Sequence, residues 1–533
     1  MNQLNRCTFA IISHPDAGKT TMTEKIIHQG KVIRDTGMVK SKQGNYAKSD
    51  WMELEKQRGI SVSSSVISFD YLDRAMHLLD TPGHKDFSED TYRTLTAVES
   101  ALMMIDSAKG VEEQTIKLMK VCRMRDTPIL TFMNKFDRDA MDPFELLDNV
   151  EKICSVQCIP MNWPIGDGVD FQGIYDRKLK TIVKFNKEGR SYLDHEIIKI
   201  ENLNNLLDLK IFPPQHVEKL LEDIEMLEEL IPGLDNEEFL SGIQTPVFFG
   251  SALFSFGVKE LVDHMAHNSP APIKREAILP PYDAHSQKEF IKPEDNNFSG
   301  FVFKIQANMD KNHRDRIAFL RVCSGKFTRN QKIFHTRLEK DLKISSPVFF
   351  QAQDRSLAEE AYPGDIIGIH DNGKLQIGDT FTEGKKFKFT GIPSFAPEIF
   401  QQVTLKDPLK AKQLDKGLTQ LSEEGTVQLF KRKNTNEKIL GAVGVLQFEV
   451  VKFRLENEYG VRGEFNSHFF QGVRWLKFKS DQVKKNFEID YGNVILFDGK
   501  NRSCFGVKSD WDLKLAIEKN PDVEFFQNSD YNS

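Results

Sequence analysis

A multidomain chain is the architecture that this sequence predicts: an α/β domain on a mostly parallel sheet, then a β-barrel, then an α+β domain. Three observations carry the prediction. In the first half, short apolar runs alternate with helical stretches, and each run ends in a tight polar loop, the pattern of parallel strands joined by helices. Pro270-Ala271-Pro272 and Pro280-Pro281 then bracket a linker. Beyond it, from Phe298 to Thr382, many short apolar runs are separated by Gly, Asn and Asp, which suggests a barrel. The expected domains are 1–275, with an insertion at about 171–244, then 283–390 and 391–533.

Thr8-Phe9-Ala10-Ile11-Ile12 is the first buried strand, and Thr21 to Gln29, free of Gly and Pro, is a helix. Lys40 to Ile60 is polar and lacks an apolar period, so a mobile loop is expected there. Val66 to Leu72 and Ala75 to Leu79 read as a hairpin with Asp73-Arg74 at its turn. Ala101 to Ile105, Pro128 to Met133 and Pro246 to Phe249 are continuous apolar runs, hence central strands. The interval from Asn134 to Ser251 is far longer than one helix and one strand need, which is why an insertion is expected. Within it Val217, Leu220, Leu221, Ile224, Leu227 and Ile231 recur at helical spacing, with Glu218, Glu222, Glu225 and Glu229 facing away. In the third region, Val443-Gly444-Val445 leads into a helix with Leu446, Val450 and Phe453 on one face.

A length of 533 residues allows roughly three or four domains. A 39% hydrophobic and 28% charged composition is that of a soluble globular chain. With 72 basic and 78 acidic residues the net charge is −6, which does not advertise a nucleic-acid binder. The six cysteines make no regular framework, as in a reducing compartment, and Cys154 and Cys158 have no second pair to complete a zinc site. The N-terminus shows no signal-peptide pattern and no apolar run approaches the ~20 residues that span a bilayer. A cytoplasmic protein without membrane contact is expected.

Four loops at predicted strand ends carry the chemistry. Ser13-His14-Pro15-Asp16-Ala17-Gly18-Lys19-Thr20-Thr21 joins a strand to a helix and reads as a phosphate-binding loop. Its backbone N–H groups and the helix N-terminus face an anion, Lys19 adds a point charge, and the Thr20 hydroxyl can ligate Mg²⁺. Ser13 stands where the usual pattern has Gly. Asp80-Thr81-Pro82-Gly83-His84 ends the next strand. Asp80 would hold Mg²⁺, with Thr20 and Ser61 completing the shell. The Gly83 N–H can reach a γ-phosphate, and His84 can orient an attacking water. Asn134-Lys135-Phe136-Asp137 selects the base. The two carboxylate oxygens of Asp137 match the N1–H and exocyclic amine of guanine, whereas adenine presents a lone pair there. Asn134 can bond the other edge, the Lys135 stem can lie along the ring, and Ser251-Ala252-Leu253 would supply a backbone N–H to the guanine carbonyl.

These residues resemble the translational GTPases, through Asp16 to Thr21, Arg58-Gly59-Ile60, Asp80 to His84 and Asn134 to Asp137. Within that group the chain is similar to the class-II release-factor branch. That likeness rests on Ser13 to Thr20, Ser49 to Glu53, Glu55 to Val62, Asp86 to Ala97, Gly300 to Met309, Glu360 to Asp365 and Gly441 to Phe448. Ser13 and Ser61, which depart from the broader pattern, look like features of this branch. The resemblance implies a P-loop GTPase domain, a β-barrel and a C-terminal α+β domain, with GTP or GDP and Mg²⁺ as cofactors. It further implies binding to the ribosome, hydrolysis stimulated by large-subunit RNA with His84 in the water-positioning role, and GTP-dependent removal of codon-reading release factors by a monomer. Two alternatives stay open: a translocation factor resembling elongation factor G, and a nucleotide-gated scaffold that does not hydrolyse, against which His84 argues. An ATP-dependent enzyme conflicts with Asp137.

Overall fold

The computed structural model describes residues 5–35, 62–185, 195–200, 203–207, 210–282, 285–307, 316–350, 355–392, 395–405, 407–432, 435 and 437–527. The expected loop at 40–60 and the candidate ligand Ser61 lie outside the described residues.

In chain order the first domain runs β1 (Arg6–Ser13), α1 (Lys19–Asp35), β2 (Ser65–Tyr71), β3 (Arg74–Asp80), α2 (Ser88–Leu95), β4 (Ser100–Asp106), α3 (Glu113–Arg123), β5 (Ile129–Asn134), α4 (Pro143–Cys154) and β6 (Gln157–Pro160). After the insertion, made of β7 (Asn162–Ile165), β8 (Gly173–Asp176), β9 (Thr181–Lys184), β10 (Glu196–Lys199) and α5 (Pro214–Leu230), come β11 (Gln244–Phe249) and α6 (Val258–Asn268). The main sheet has the order β2-β3-β1-β4-β5-β11-β6. All of its pairs are parallel except β2 with β3. β4 and β5 are buried at every position, as strands covered by helices on both faces must be. Register sets Ile11 beside Asp80, Ser13 beside Met104 and Asp106 beside Asn134, so the strand-end loops emerge along one edge. That edge is where open α/β sheets bind ligands.

Two local expectations are corrected. The hairpin turn is Leu72-Asp73, one residue earlier than expected, with φ of +43° and +60° at its two residues. Positive φ at both central residues matches the right-handed twist of the flanking strands. The insertion begins at Asn162, not near 171, because the β7–β10 sheet already includes Trp163 and Ile165. Trp163 is fully buried, and its Nε1–H donates to Asp223 Oδ2 on α5 at 2.9 Å. Val217, Leu220, Ile224 and Leu227 turn inward and the four glutamates outward, as the helical period requires.

The linker also contains structure. Arg275–Ile278 pairs with Lys288–Ile291 and Lys388–Phe389 in a three-stranded sheet. The second domain is an eight-stranded antiparallel sheet with a two-stranded ribbon beside it. Its long strands Ser299–Ala307 and Arg316–Ser324 are buried along their whole length. One face supplies the domain's own core, Val302, Ile305, Leu320 and Val322 among others. The other, with Phe301, Phe303, Ile317 and Phe319, joins the apolar cluster of the first domain. The third domain is an eight-stranded antiparallel sheet carrying α7 (Ala411–Glu423) and α8 (Val445–Tyr459), with two further helices at Asp481–Asp490 and Asp510–Lys519. All six cysteines are free and buried. No helix among the described residues is long and apolar enough to cross a membrane.

Candidate nucleotide-binding site

The loop from Ser13 to Gly18 leaves β1 and enters α1 through two left-handed residues, Asp16 (φ +65°) and Gly18 (φ +95°). α1 has no acidic residue in its first turn, so its unpaired N–H groups and dipole present an undiluted positive end. Lys19 Nζ sits 2.9 Å from Asp80 Oδ1, and both side chains are buried. Asp80 ends β3, and the next residue ties the two loops together: Thr81 Oγ1 donates to Ile11 O at 2.6 Å. A Cβ at Gly83 would meet Pro15 Cα and Ser13 O at 3.6 and 3.7 Å, so the two loops lie in contact. Thr20 is half-buried on the first turn of α1. Its hydroxyl and the Asp80 carboxylate are hard oxygen donors, a set that fits Mg²⁺ completed by phosphate and water oxygens. Among the described residues the Ser13 hydroxyl and His14 Nδ1 are buried without a protein partner. His14 Nε2 lies 3.5 Å from Glu112.

At the other end of the edge, Asn134 braces three loops. Its Nδ2 donates to Ala17 O, and its Oδ1 accepts the Ala252 N–H, both at 2.8 Å. Sequence reasoning gave both groups to the base; here they join the phosphate loop to the Ser251 loop. Ser251 N–H goes to Phe256 O. Lys135, at φ +74°, turns its Nζ onto Asp106 Oδ2 at 2.7 Å, which holds its stem in place. Phe136 is fully buried edge-on to Phe249, and the Asp137 side chain is 10% exposed, 3.9 Å from Arg138 Nε. Asp137 is thus the carboxylate that follows β5 at this end of the sheet edge.

His84 caps a short 3₁₀ turn, Lys85–Phe87, with its own ring: Nδ1 accepts the Asp86 N–H at 3.2 Å. A neutral ring so fixed carries its proton on Nε2. The His84 side chain is 30% exposed and lies beyond Gly83.

Sequence reasoning missed Asp106, Glu112 and Asp86. Asp106 had a signal, as a polar residue ending the apolar run of β4. It also accepts the Ala108 N–H and so shapes its own turn. Glu112 had none, because its proximity to His14 is set only in three dimensions. Asp86 was read as part of a motif without a role of its own.

The sequence matches three family models. Residues 4–271 match the elongation factor Tu GTP binding domain. Residues 297–384 match elongation factor G domain 2. Residues 389–517 match the C-terminal domain of class II release factor RF3. A solved structure of a protein from Thermus thermophilus is similar at 20% identity and a TM-score of 0.67, covering 89% of this chain and 71% of that one. At that identity the likeness concerns the fold alone.

Proposed function

The chain belongs to the translational GTPases that share the elongation factor Tu GTP binding domain, with the C-terminal domain of the class II release factor RF3 family, and from that premise we propose that it is a ribosome-dependent GTPase that removes codon-reading release factors after termination. The observation that carries the reading is the meeting of Lys19, Asp80, His84 and Asp137 on one sheet edge of a domain to which a release-factor C-terminal domain is attached.

In this reading Gly18, Lys19, Thr20 and Thr21 receive the phosphates with backbone N–H groups and the Lys19 ammonium. Thr20 and Asp80, with Ser61 from outside the described residues, would hold Mg²⁺, which neutralises charge developing on the phosphates when bound. Asp137 reads guanine, and Lys135 flanks the ring with its Nζ anchored to Asp106. His84 would turn its Nε2–H toward the attacking water, with the ring angle set by the Asp86 N–H. The partners are the ribosome, including large-subunit RNA, and the codon-reading release factors. The setting is the cytoplasm and the acting form a monomer.

The deciding experiment follows release-factor dissociation from terminated ribosomes, with and without this chain and GTP. Acceleration is expected; tRNA movement instead would favour a translocation factor. Base choice is checked by binding of GTP, ATP and xanthosine triphosphate to wild type and Asp137→Asn. The variant should lose GTP and gain the xanthine nucleotide, and equal ATP and GTP affinity in wild type would refute the base assignment. His84→Ala should keep nucleotide affinity within about twofold and lose at least tenfold in ribosome-stimulated turnover, in line with a general acid–base or water-orienting role.

A further inference from the structure

Helix α8 of the third domain begins at a residue that cannot cap it. Its N-cap is Gly444, which has no side-chain oxygen. Gln447 Oε1 turns back to accept the Val443 and Gly444 N–H groups, which satisfies one side of the helix start. The oxygen that a Ser or Asp would normally offer comes from another domain: Asp86 Oδ2 accepts the Leu446 N–H at 2.8 Å. The fit is close. A Cβ on Gly444 would stand 2.1 Å from Asp86 Cγ, although the Gly444 backbone (φ −137°, ψ 160°) suits any residue. Asp86 is the same residue whose N–H holds His84 Nδ1. Phe87, next in the turn, packs with Val62 and Val450, and Leu446 closes the cluster.

We infer that Asp86 is a positioning residue which couples the His84 ring to the third domain, by capping α8 with its carboxylate while orienting the imidazole with its N–H. Any movement of the Lys85–Phe87 turn must break or remake the α8 cap, and any displacement of the third domain must turn His84. Polar contacts surround this apolar cluster. A cavity of about 50 Å³ there is lined by the apolar Val62, Phe87 and Val450 together with the charged Glu89, Lys304 and Arg454. Arg93 donates to Gly425 O of the third domain at 3.3 Å, and Lys304 of the second reaches Asp90 at 3.4 Å.

The inference rests on the nucleotide reading above, and its test separates the two. Amide hydrogen exchange at Leu446–Phe448 is measured in the full chain with GDP and with a non-hydrolysable GTP analogue. Ribosome-stimulated kcat and KM and nucleotide affinity are measured beside it. In wild type, protection should differ between the two nucleotides. Asp86→Ala should raise exchange at these amides roughly fivefold to tenfold, the effect of losing a cap, and lower kcat at least tenfold with KM little changed. Asp86→Gly with Gly444→Ser gives α8 a local cap and removes the Asp86 Cβ, which would otherwise stand 2.4 Å from the new one. It should restore protection, make it independent of nucleotide, and leave kcat low. A double variant with wild-type kcat, or with protection still nucleotide-dependent, would overturn the inference. So would wild-type protection indifferent to the bound nucleotide. A wild-type chain that binds no guanine nucleotide would instead overturn the reading it rests on.

Discussion

Gly18 is required twice, by the left-handed turn of the phosphate loop and by Asn134. A Cβ at Gly18 would lie 2.2 Å from Asn134 Nδ2, and φ of +95° strains any side chain besides. Gly18→Ala must therefore push Asn134 off Ala17 O and the Ala252 N–H. Two hydrogen bonds of about 1 kcal/mol each, with the strain added, convert to at least a tenfold loss of nucleotide affinity. Titration with fluorescent GDP should read that loss at unchanged circular dichroism; wild-type affinity would mean the brace is dispensable. Asp80, Asn134 and Asp137 could be read because each ends an apolar run in a short polar loop. What Asn134 grips could not, since Ala17 and Ala252 reach it only through parallel register across the sheet. Asp86 was hidden for a stronger reason: its partner Leu446 belongs to another domain.

Among elements, the β2–β3 hairpin was legible as two apolar runs, yet its turn was placed one residue late. Leu72 is a poor turn residue, and Asp73-Arg74 looks the better pair by composition. Tertiary register overrode that preference: Ile67, Phe69 and Tyr71 must share one buried face, which leaves Leu72 at the turn with φ +43° and 41% of its surface exposed. The insertion boundary failed similarly, because Trp163 and Phe171 read as ordinary apolar residues until α5 and Phe136 are packed against them. The turn makes a test. A leucine in the left-handed region costs about 1–2 kcal/mol, and Asn tolerates it. Leu72→Asn should raise the stability of the first domain by about 1 kcal/mol in urea unfolding, with nucleotide binding unaffected. A destabilised variant would show that the exposed Leu72 contributes packing of its own.

For the whole molecule, the first and second domains are joined by buried charges. Arg321 is 1% exposed and donates to Thr8 Oγ1, Gly364 O and Glu99. Arg275 meets the same Glu99 at 3.1 Å. Beside them Asp365 accepts from His77 Nε2 at 3.0 Å, Arg6 Nε at 3.1 Å and the Tyr362 N–H at 2.7 Å. Burial alone would push the Asp365 carboxyl up; the hydrogen bond and charge of His77, with Arg6 and the Tyr362 N–H, outweigh it and hold the group below the usual carboxylate range. A carboxyl depressed in the docked state binds its proton more readily once the domains part. Its contribution is therefore complete above the ordinary carboxylate pKa of about 4 and is lost as pH falls through the depressed value. Undocking, followed by energy transfer between dyes on the first two domains, should become easier below about pH 4. Asp365→Asn should weaken docking at neutral pH by about 1–3 kcal/mol, because Arg6 and His77 lose their carboxylate, and should flatten the acid limb of the profile. An acid limb as steep in Asp365→Asn as in wild type would show that this carboxyl does not set the pH dependence.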